Sequence, residues 1–399
     1  MKALVSLWLG GPGLFLVVCR LAAPPAAPVP FPPERGPLHI EAQVFKTSDG
    51  LTWDWRGGSM FMLFARYLRG EDVTPQLQWC RAHGINVLRV FGQASGEGGW
   101  AQWPNYRRPW ERPDFAVKLG AFFDLAAAHG LRVEYTVLTF PDSIEAMHTG
   151  LQRTYDVAAG RWNVLVEAAN EPEAQGIDVL AAIRGIDRRG VISAYGLYNL
   201  DPADPPPPHL DYVTMHSPRD GEFARRAADL RDVRVGSGGD DRPHVPGTGT
   251  PVIGDEPIGV AEAGQPGRRT ASWLEMSRYM AVCRIVTSGC TLHLQAGLDG
   301  RVPDPTRERV QHSVANAVLR IWQAIPADAH TCEYLRSGPS STDQFPVTSS
   351  GEYPLHAAVC RSAAYVVPMT PDIRAWSPSA ANGWHLADRP APVVVVLVR

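Results

Sequence analysis

The sequence predicts an α/β fold: a closed (β/α)8 TIM barrel carrying a small C-terminal β extension. Three observations predict it. Short apolar runs alternate with helix-length segments from residue 38 to residue 325. Eight such runs occur, the number that closes a parallel sheet on itself. Several of them end on polar or charged residues, at the strand ends where the loops of such a barrel open. A doubly wound open sheet is the alternative; it would bring a glycine-rich phosphate loop after its first strand, and none is present.

The elements follow in order. Residues 39–45 and 51–55, around Thr47-Ser48-Asp49-Gly50, read as a hairpin able to cap a barrel floor. The buried run 59–64 reads as the first barrel strand. Residues 74–83, ended by Gly84, read as a helix, and 85–91 as the second strand. Helical periodicity over 113–129 stops at Gly130, before the third strand at 131–140. A helix within 143–158 leads to the fourth strand, 163–170. Next come a helix at 179–189, a fifth strand at 191–200 and a short sixth strand at 212–216, then a helix at 222–231. The seventh strand is 252–256, followed by a helix at 272–288, the eighth strand at 290–295 and a last helix at 306–325. Asp201 to Pro208 is too proline-rich for a helix between strands five and six. The barrel domain is therefore set at 34–330. Residues 331–399 are loop-rich, with β-like runs at 363–367 and 393–398.

Composition bounds the partners. The chain has 399 residues, 45% hydrophobic and 20% charged, which suits a folded soluble protein with one large core or two smaller ones. A net charge of −3 gives no electrostatic reason to expect nucleic acid or an anionic membrane as partner. Residues 1–33 differ: Met1-Lys2, an apolar stretch to Val18 and a proline-rich run read as a secretory signal peptide and linker. The stretch is interrupted by Gly10 to Gly13 and is short for a membrane span, so export is expected and stable insertion is not. Of six cysteines, Cys332 and Cys360 flank the loop-rich tail and are expected to form one bridge. Cys80, Cys283 and Cys290 sit in apolar contexts and read as buried thiols. No cysteine pair has zinc-site spacing, Asp240 and Asp241 read as solvated rather than as a calcium site, and no cofactor motif occurs. A Gly-x-Ser-x-Gly elbow is also missing.

The chemistry is expected at the C-terminal ends of the strands. Strand two supplies Arg89, strand three Thr139, strand four Asn170 and Glu171, strand six His216, strand seven Glu256, and strand eight His293 and Gln295. Asn170-Glu171-Pro172 is the most informative group, an amide and a carboxylate ending a buried strand ahead of a strand-stopping proline. Glu167, deeper on strand four, reads as a structural acid. The adjacent Asp255 is an alternative to Glu256. The long segment 92–110 brings Trp100, Trp103, Tyr106 and Trp110 to the rim, where flat rings suit the C–H faces of sugars; two of the four are expected only to pack the loop.

With Asn170-Glu171-Pro172, the second-strand segment from His83 to Arg89, and Glu256 in phase, the chain resembles the clan A retaining glycoside hydrolases, the cellulase and mannanase superfamily. The resemblance covers residues 40–325. It implies a carbohydrate substrate, Glu171 as acid/base and Glu256 as nucleophile, with the two carboxyls about 5–5.5 Å apart so that one attacks the sugar directly. It further implies that Arg89 favours an ionised Glu256, that Asn170 binds the sugar 2-hydroxyl, and that His216 orients both groups. His293 joins the substrate-binding set. Two departures stand out: Ser217-Pro218 follows the histidine where the clan carries an aromatic, and strand eight lacks the usual tryptophan. They keep open a barrel that binds glycans without cleaving them, and a barrel enzyme of other chemistry such as a lyase.

Overall fold

The computed structural model describes residues 15–17, 35–94, 106–197, 210–216, 251–256, 273–294, 305–337, 355–361, 363–368, 375–379, 383–387 and 395–398. Phe15–Val17 is strand β1. Leu38–Glu41 (β2) and Val44–Thr47 (β3) form a hairpin that turns at Ala42, earlier than the expected turn. A second turn at Thr47 to Gly50 then returns the chain, so that Trp53 donates its amide to the Phe45 carbonyl at 2.7 Å.

The first barrel strand is Trp55–Ser59 (β4), which corrects the expected strand at 59–64; Leu63–Leu68 is instead a helix. Residues 60 to 64 are all buried, and a continuously buried apolar run reads alike as strand or helix. Gly57 and Gly58 are what the strand needs. A Cβ on Gly57 would lie 2.2 Å from Thr291 Oγ1, and one on Gly58 2.8 Å from Ile85 Cδ1.

The remaining barrel strands are Val87–Phe91 (β5), Arg132–Leu138 (β6), Val164–Asn170 (β7), Ser193–Leu197 (β8), Val213–His216 (β9), Val252–Glu256 (β10) and Gly289–His293 (β11). All pairings are parallel, and β10 closes on β11 and β9. The eight strands form a closed (β/α)8 barrel. Helices Thr74–Ala82, Phe115–Ala128, Ile144–Ala158, Trp273–Val286 and Pro305–Ala324 match the expected periodic segments. The helix expected at 179–189 ends at Ile183, and the one expected at 222–231 lies outside the described residues.

The floor is aromatic. Phe45 and Trp53 from the hairpin region pack on Trp55 and Tyr212, with Val87, Leu165 and Ile253 above them. The hairpin thus plugs the N-terminal end and leaves the other end as the mouth. After the barrel, Glu333–Ser337 (β12), Leu355–Val359 (β13), Ala363–Pro368 (β14) and Val395–Val398 (β17) form an antiparallel sheet, with β1 at its edge; Ala375–Ser379 (β15) and Gly383–Ala387 (β16) pair separately. Ala358 and Val367 of this sheet join the main core. Cys332 and Cys360 are bridged, as expected. Cys283 and Cys290 are also bridged, which corrects their reading as thiols: the helix end and the start of β11 bring their Cα atoms to 6.2 Å. Cys80 is a buried thiol, and burial pushes it far up from its ordinary pKa.

Candidate active site at the barrel mouth

The site is built from the fourth barrel strand outward. In β7 the register against β8 slips between Glu167 and Asn170, where three steps of β7 face two of β8. Glu167 faces the barrel interior, Ala168 and Ala169 both join the outer core, and Asn170 faces inward again. Strict alternation would have turned Asn170 outward; the bulge re-aims it. Glu171 follows in a left-handed conformation, φ 45° and ψ 50°, ahead of the short helix Pro172–Gln175. Such a backbone costs a non-glycine residue about 1–3 kcal/mol and collects at functional sites.

Arg89 of β5 is wholly buried and organises the interior. Its Nε and Nη2 donate to Glu167 at 2.8 and 2.9 Å, a two-pronged pairing. Nη2 also donates to Asn170 Oδ1 at 2.7 Å, and Nε lies 3.0 Å from Asp255 Oδ2. A guanidinium only donates, so the Asn170 oxygen must face it and the Asn170 amide nitrogen is the end directed elsewhere. Phe61 and Phe91, stacked at 4.1 Å, lie against the cation at 5.4 and 5.2 Å.

Tyr212, Thr214 and His216 recur at every second position and line one face. Tyr212 donates to Glu134 at 2.7 Å, Thr214 to Glu167 at 2.7 Å, and Thr136 also donates to Glu167. His216 Nδ1 lies 2.6 Å from Glu171 Oε1, and its Nε2 lies 3.4 Å from Asp255 Oδ1. One buried cation thus serves three buried carboxylates. Burial pushes Glu134 well above the ordinary carboxylate range, and the charges of Glu167 and Asp255 push it further. Burial also raises Glu167, opposed by Arg89. Glu134 is the carboxyl that keeps its proton, since Arg89 pairs with the other two.

The strand carrying Glu256 also slips: Gly254 pairs with Met215 and Glu256 with His216. Of Glu256 only the backbone is described; it ends β10 beside His216. Asp255 is fully buried beneath the mouth, whereas the Glu171 side chain retains 15% exposure.

Arg89, Asn170, Glu171 and His216 therefore meet, as the sequence suggested, and Glu167 is the structural acid it was read to be. His293 is buried with its ring edge-on to Phe61 at 5.6 Å, one ring removed from Arg89. Thr139 is tied back by Gln93, whose Oε1 accepts from the Thr139 amide at 2.6 Å and from the Phe140 amide at 3.0 Å. Tyr106 is half-buried, bridges Ala94 and packs against the cluster that holds Phe61 and Phe91; Trp110 is buried against Gly150. Trp110 is a packing ring. Trp100, Trp103 and Gln295 lie outside the described residues. The sequence reading missed Glu134, Thr136, Tyr212 and Thr214; the available signal was the period-two spacing of Tyr212 and Thr214 below His216, and of Glu134 and Thr136 on the third strand.

Neither the family models nor the curated proteins compared with this sequence give a match. Solved structures do. A glycoside hydrolase family 5 protein from Bacteroides vulgatus ATCC 8482 superposes with a TM-score of 0.61 at 14% identity, covering 91% of this chain and 92% of that one. The fold is that of a family 5 glycoside hydrolase. A second structure, described as a glycoside hydrolase, gives a TM-score of 0.58 at 13% identity and covers 91% of this chain and 97% of its own. At such identities the likeness speaks for the fold, and the chemistry rests on the strand-end residues.

Proposed function

We propose that the protein is a retaining β-glycoside hydrolase acting on an oligo- or polysaccharide, with Glu171 as acid/base and Glu256 as nucleophile. The observation that carries this reading is the Glu171 carboxyl. It stands at the mouth of a glycosidase-type barrel, held at 2.6 Å by His216, whose neighbour in register is Glu256. Asp255, the competing acid, is wholly buried and engaged by Arg89, out of reach of a sugar.

In the first step Glu171 donates its proton to the departing glycosidic oxygen while Glu256 attacks the anomeric carbon. In the second, Glu171 takes a proton from water, which releases the sugar from Glu256. Asn170, its oxygen turned to Arg89, offers its amide N–H to a sugar hydroxyl. Glu171→Ala and Glu256→Ala are each expected to lower turnover by about 10²-fold or more. A fluorinated glycoside should label Glu256, read by peptide mapping; a label on Asp255, or wild-type turnover by Glu256→Ala, refutes the assignment. Export is proposed with it, supported by the apolar leader and by two disulfides, which persist in oxidising compartments. Removal of residues 1–33 would take β1 with it and leave β17 at the sheet edge. The mass of the secreted chain reads whether that occurs.

A further inference from the structure

A polar cavity opens at the mouth of the barrel, apart from the residues given chemical roles above. It measures about 490 Å³ and is walled by Arg107, Arg108, Glu111, Pro141 and Asp142. That volume lies within the range of small-molecule sites, about 300–1,000 Å³. One wall follows β5 and the other follows β6, and β6 is the neighbour of β7 in the barrel. The cavity therefore stands next, around the rim, to the strand that ends on Asn170 and leads into Glu171. We propose that it is a subsite for one neutral sugar unit of a longer chain, whose hydroxyls bond Arg108, Glu111 and Asp142. That ligand class rests on the hydrolase reading above; the cavity and its fixed walls do not.

The walls are held by a side chain that the proposed chemistry leaves unused. Gln93, 1% exposed, sits at the root of the segment after β5. Its Oε1 accepts from the amides of Thr139 and Phe140 at 2.6 and 3.0 Å, and its Nε2 donates to the Arg107 carbonyl at 2.5 Å. One buried amide thus ties the end of β6 to the returning limb of the β5 segment. Ala94 and Tyr106 join that limb to its root by two backbone hydrogen bonds, at 2.7 and 3.2 Å, and Trp110 is buried against the helix Ile144–Ala158. Arg108 crosses from one wall to the other. Its Nε and Nη2 donate to Asp142 at 2.7 and 2.5 Å, while Nη1 donates to Glu111 at 3.0 Å. Exposed ion pairs add little to stability, so stability does not account for such an ordered cluster. Walls already fixed spare a ligand the cost of ordering them.

The chemistry of the walls selects the ligand. The lining has two arginines and two acids, so it carries no net charge. The hydrogen bonds from Arg108 hold the Asp142 carboxyl below its ordinary range, so it is ionised and accepts. Guanidinium N–H groups only donate and carboxylate oxygens only accept, with lone pairs beyond those that Arg108 uses. A hydroxyl does both, and the vicinal hydroxyls of a sugar meet donor and acceptor side by side. An anionic ligand would lie against Glu111 and Asp142, and a cationic one against Arg107 and Arg108, each with repulsion. Pro141 adds apolar surface for the C–H groups of the ring.

The test is calorimetric titration of the full-length Glu256→Ala protein, to keep catalysis out of the measurement. The probes are neutral β-linked gluco-, manno- and xylo-oligosaccharides from the monosaccharide to the hexasaccharide, with chitosan oligomers and oligouronides as cationic and anionic counterparts. For one neutral series, affinity is expected to rise by about 10-fold or more at a single added unit, as hydrogen bonds to charged groups are gained. Asp142→Ala in the same protein should erase that step, so that the longer and shorter oligosaccharides bind alike. Glu111→Ala, at an exposed position, should reduce the step, and it decides the matter if Asp142→Ala does not fold. Affinity without such a step, a step unchanged in the folded variants, a larger step with a charged series, or binding by no probe overturns the subsite. Initial rates of the wild type on the same oligosaccharides keep the two readings apart. Turnover without the binding step refutes the subsite alone; the step without any turnover refutes the hydrolase reading and leaves the subsite standing.

Discussion

Arg89 shows how much one side chain decides. It neutralises Glu167 and Asp255 and sets the rotamer of Asn170, all without exposure to solvent. Replacing it by methionine would leave those carboxylates buried without a cation, and breaking a buried pair in this way costs about 3–5 kcal/mol. Chemical denaturation of Arg89→Met should show a loss of that size, larger than for any single exposed ion pair such as Arg108 with Glu111. Glu171 is a different case. Its left-handed backbone is unfavourable for any side chain but suits glycine, so Glu171→Gly relieves strain while losing the contact to His216. The expected outcome is abolished turnover with stability within about 1 kcal/mol of wild type, measured by the same unfolding curves.

At the scale of elements, the mouth depends on interruptions in regular strands. The slips in β7 and β10 fall immediately before the residues that carry the chemistry, and the one in β7 re-aims Asn170. Their neighbours must stay small. A Cβ on Gly196 of β8 would lie 2.4 Å from Glu167 Oε1 and 3.4 Å from Arg89 Nη2. Gly196→Ala is therefore expected to displace Glu167 and destabilise the barrel by about 1–3 kcal/mol. A crystal structure of the variant should show the Arg89–Glu167 pairing lengthened; unchanged pairing and stability would contradict the account. Little of this was legible beforehand. The apolar run of β7 announced a strand ending on Asn170 and Glu171, but a bulge leaves no mark in the residue pattern, and alanines at 168 and 169 suit either face.

For the whole molecule, the barrel interior makes stability depend on pH. Glu134 is raised far above its unfolded value by burial and by Glu167 and Asp255. The folded state thus holds a proton that the unfolded chain releases at ordinary carboxylate pH. Glu134 then contributes fully below that range, and its contribution falls as pH rises toward the folded pKa. Glu134→Gln keeps an acceptor for Tyr212 and removes the titration. Its melting temperature should exceed that of wild type at pH 8 by more than at pH 5; parallel curves would place the proton elsewhere. The disulfides act on the unfolded chain instead. Replacing Cys332 and Cys360, separated by 28 residues, by serine should cost about 2–4 kcal/mol.

The sequence alone determined the alternation of strands and helices, the polar residues at strand ends and a hairpin able to cap the barrel floor. These are local signals: periodicity, stop residues, and a glutamate beside an asparagine at the end of an apolar run. It favoured a first strand in the more apolar residues 59–64 over Trp55–Ser59, whose arginine and two glycines carry little strand signal. Only the packing against Thr291 and Ile85, which excludes a side chain at Gly57 and Gly58, decided it. Tertiary structure alone also paired Cys283 with Cys290, where the chain turns from a helix end into β11, and it buried Asp255 against Arg89 and set His216 between two carboxyls, because these last are contacts between different strands and closure of the sheet determines which of them meet.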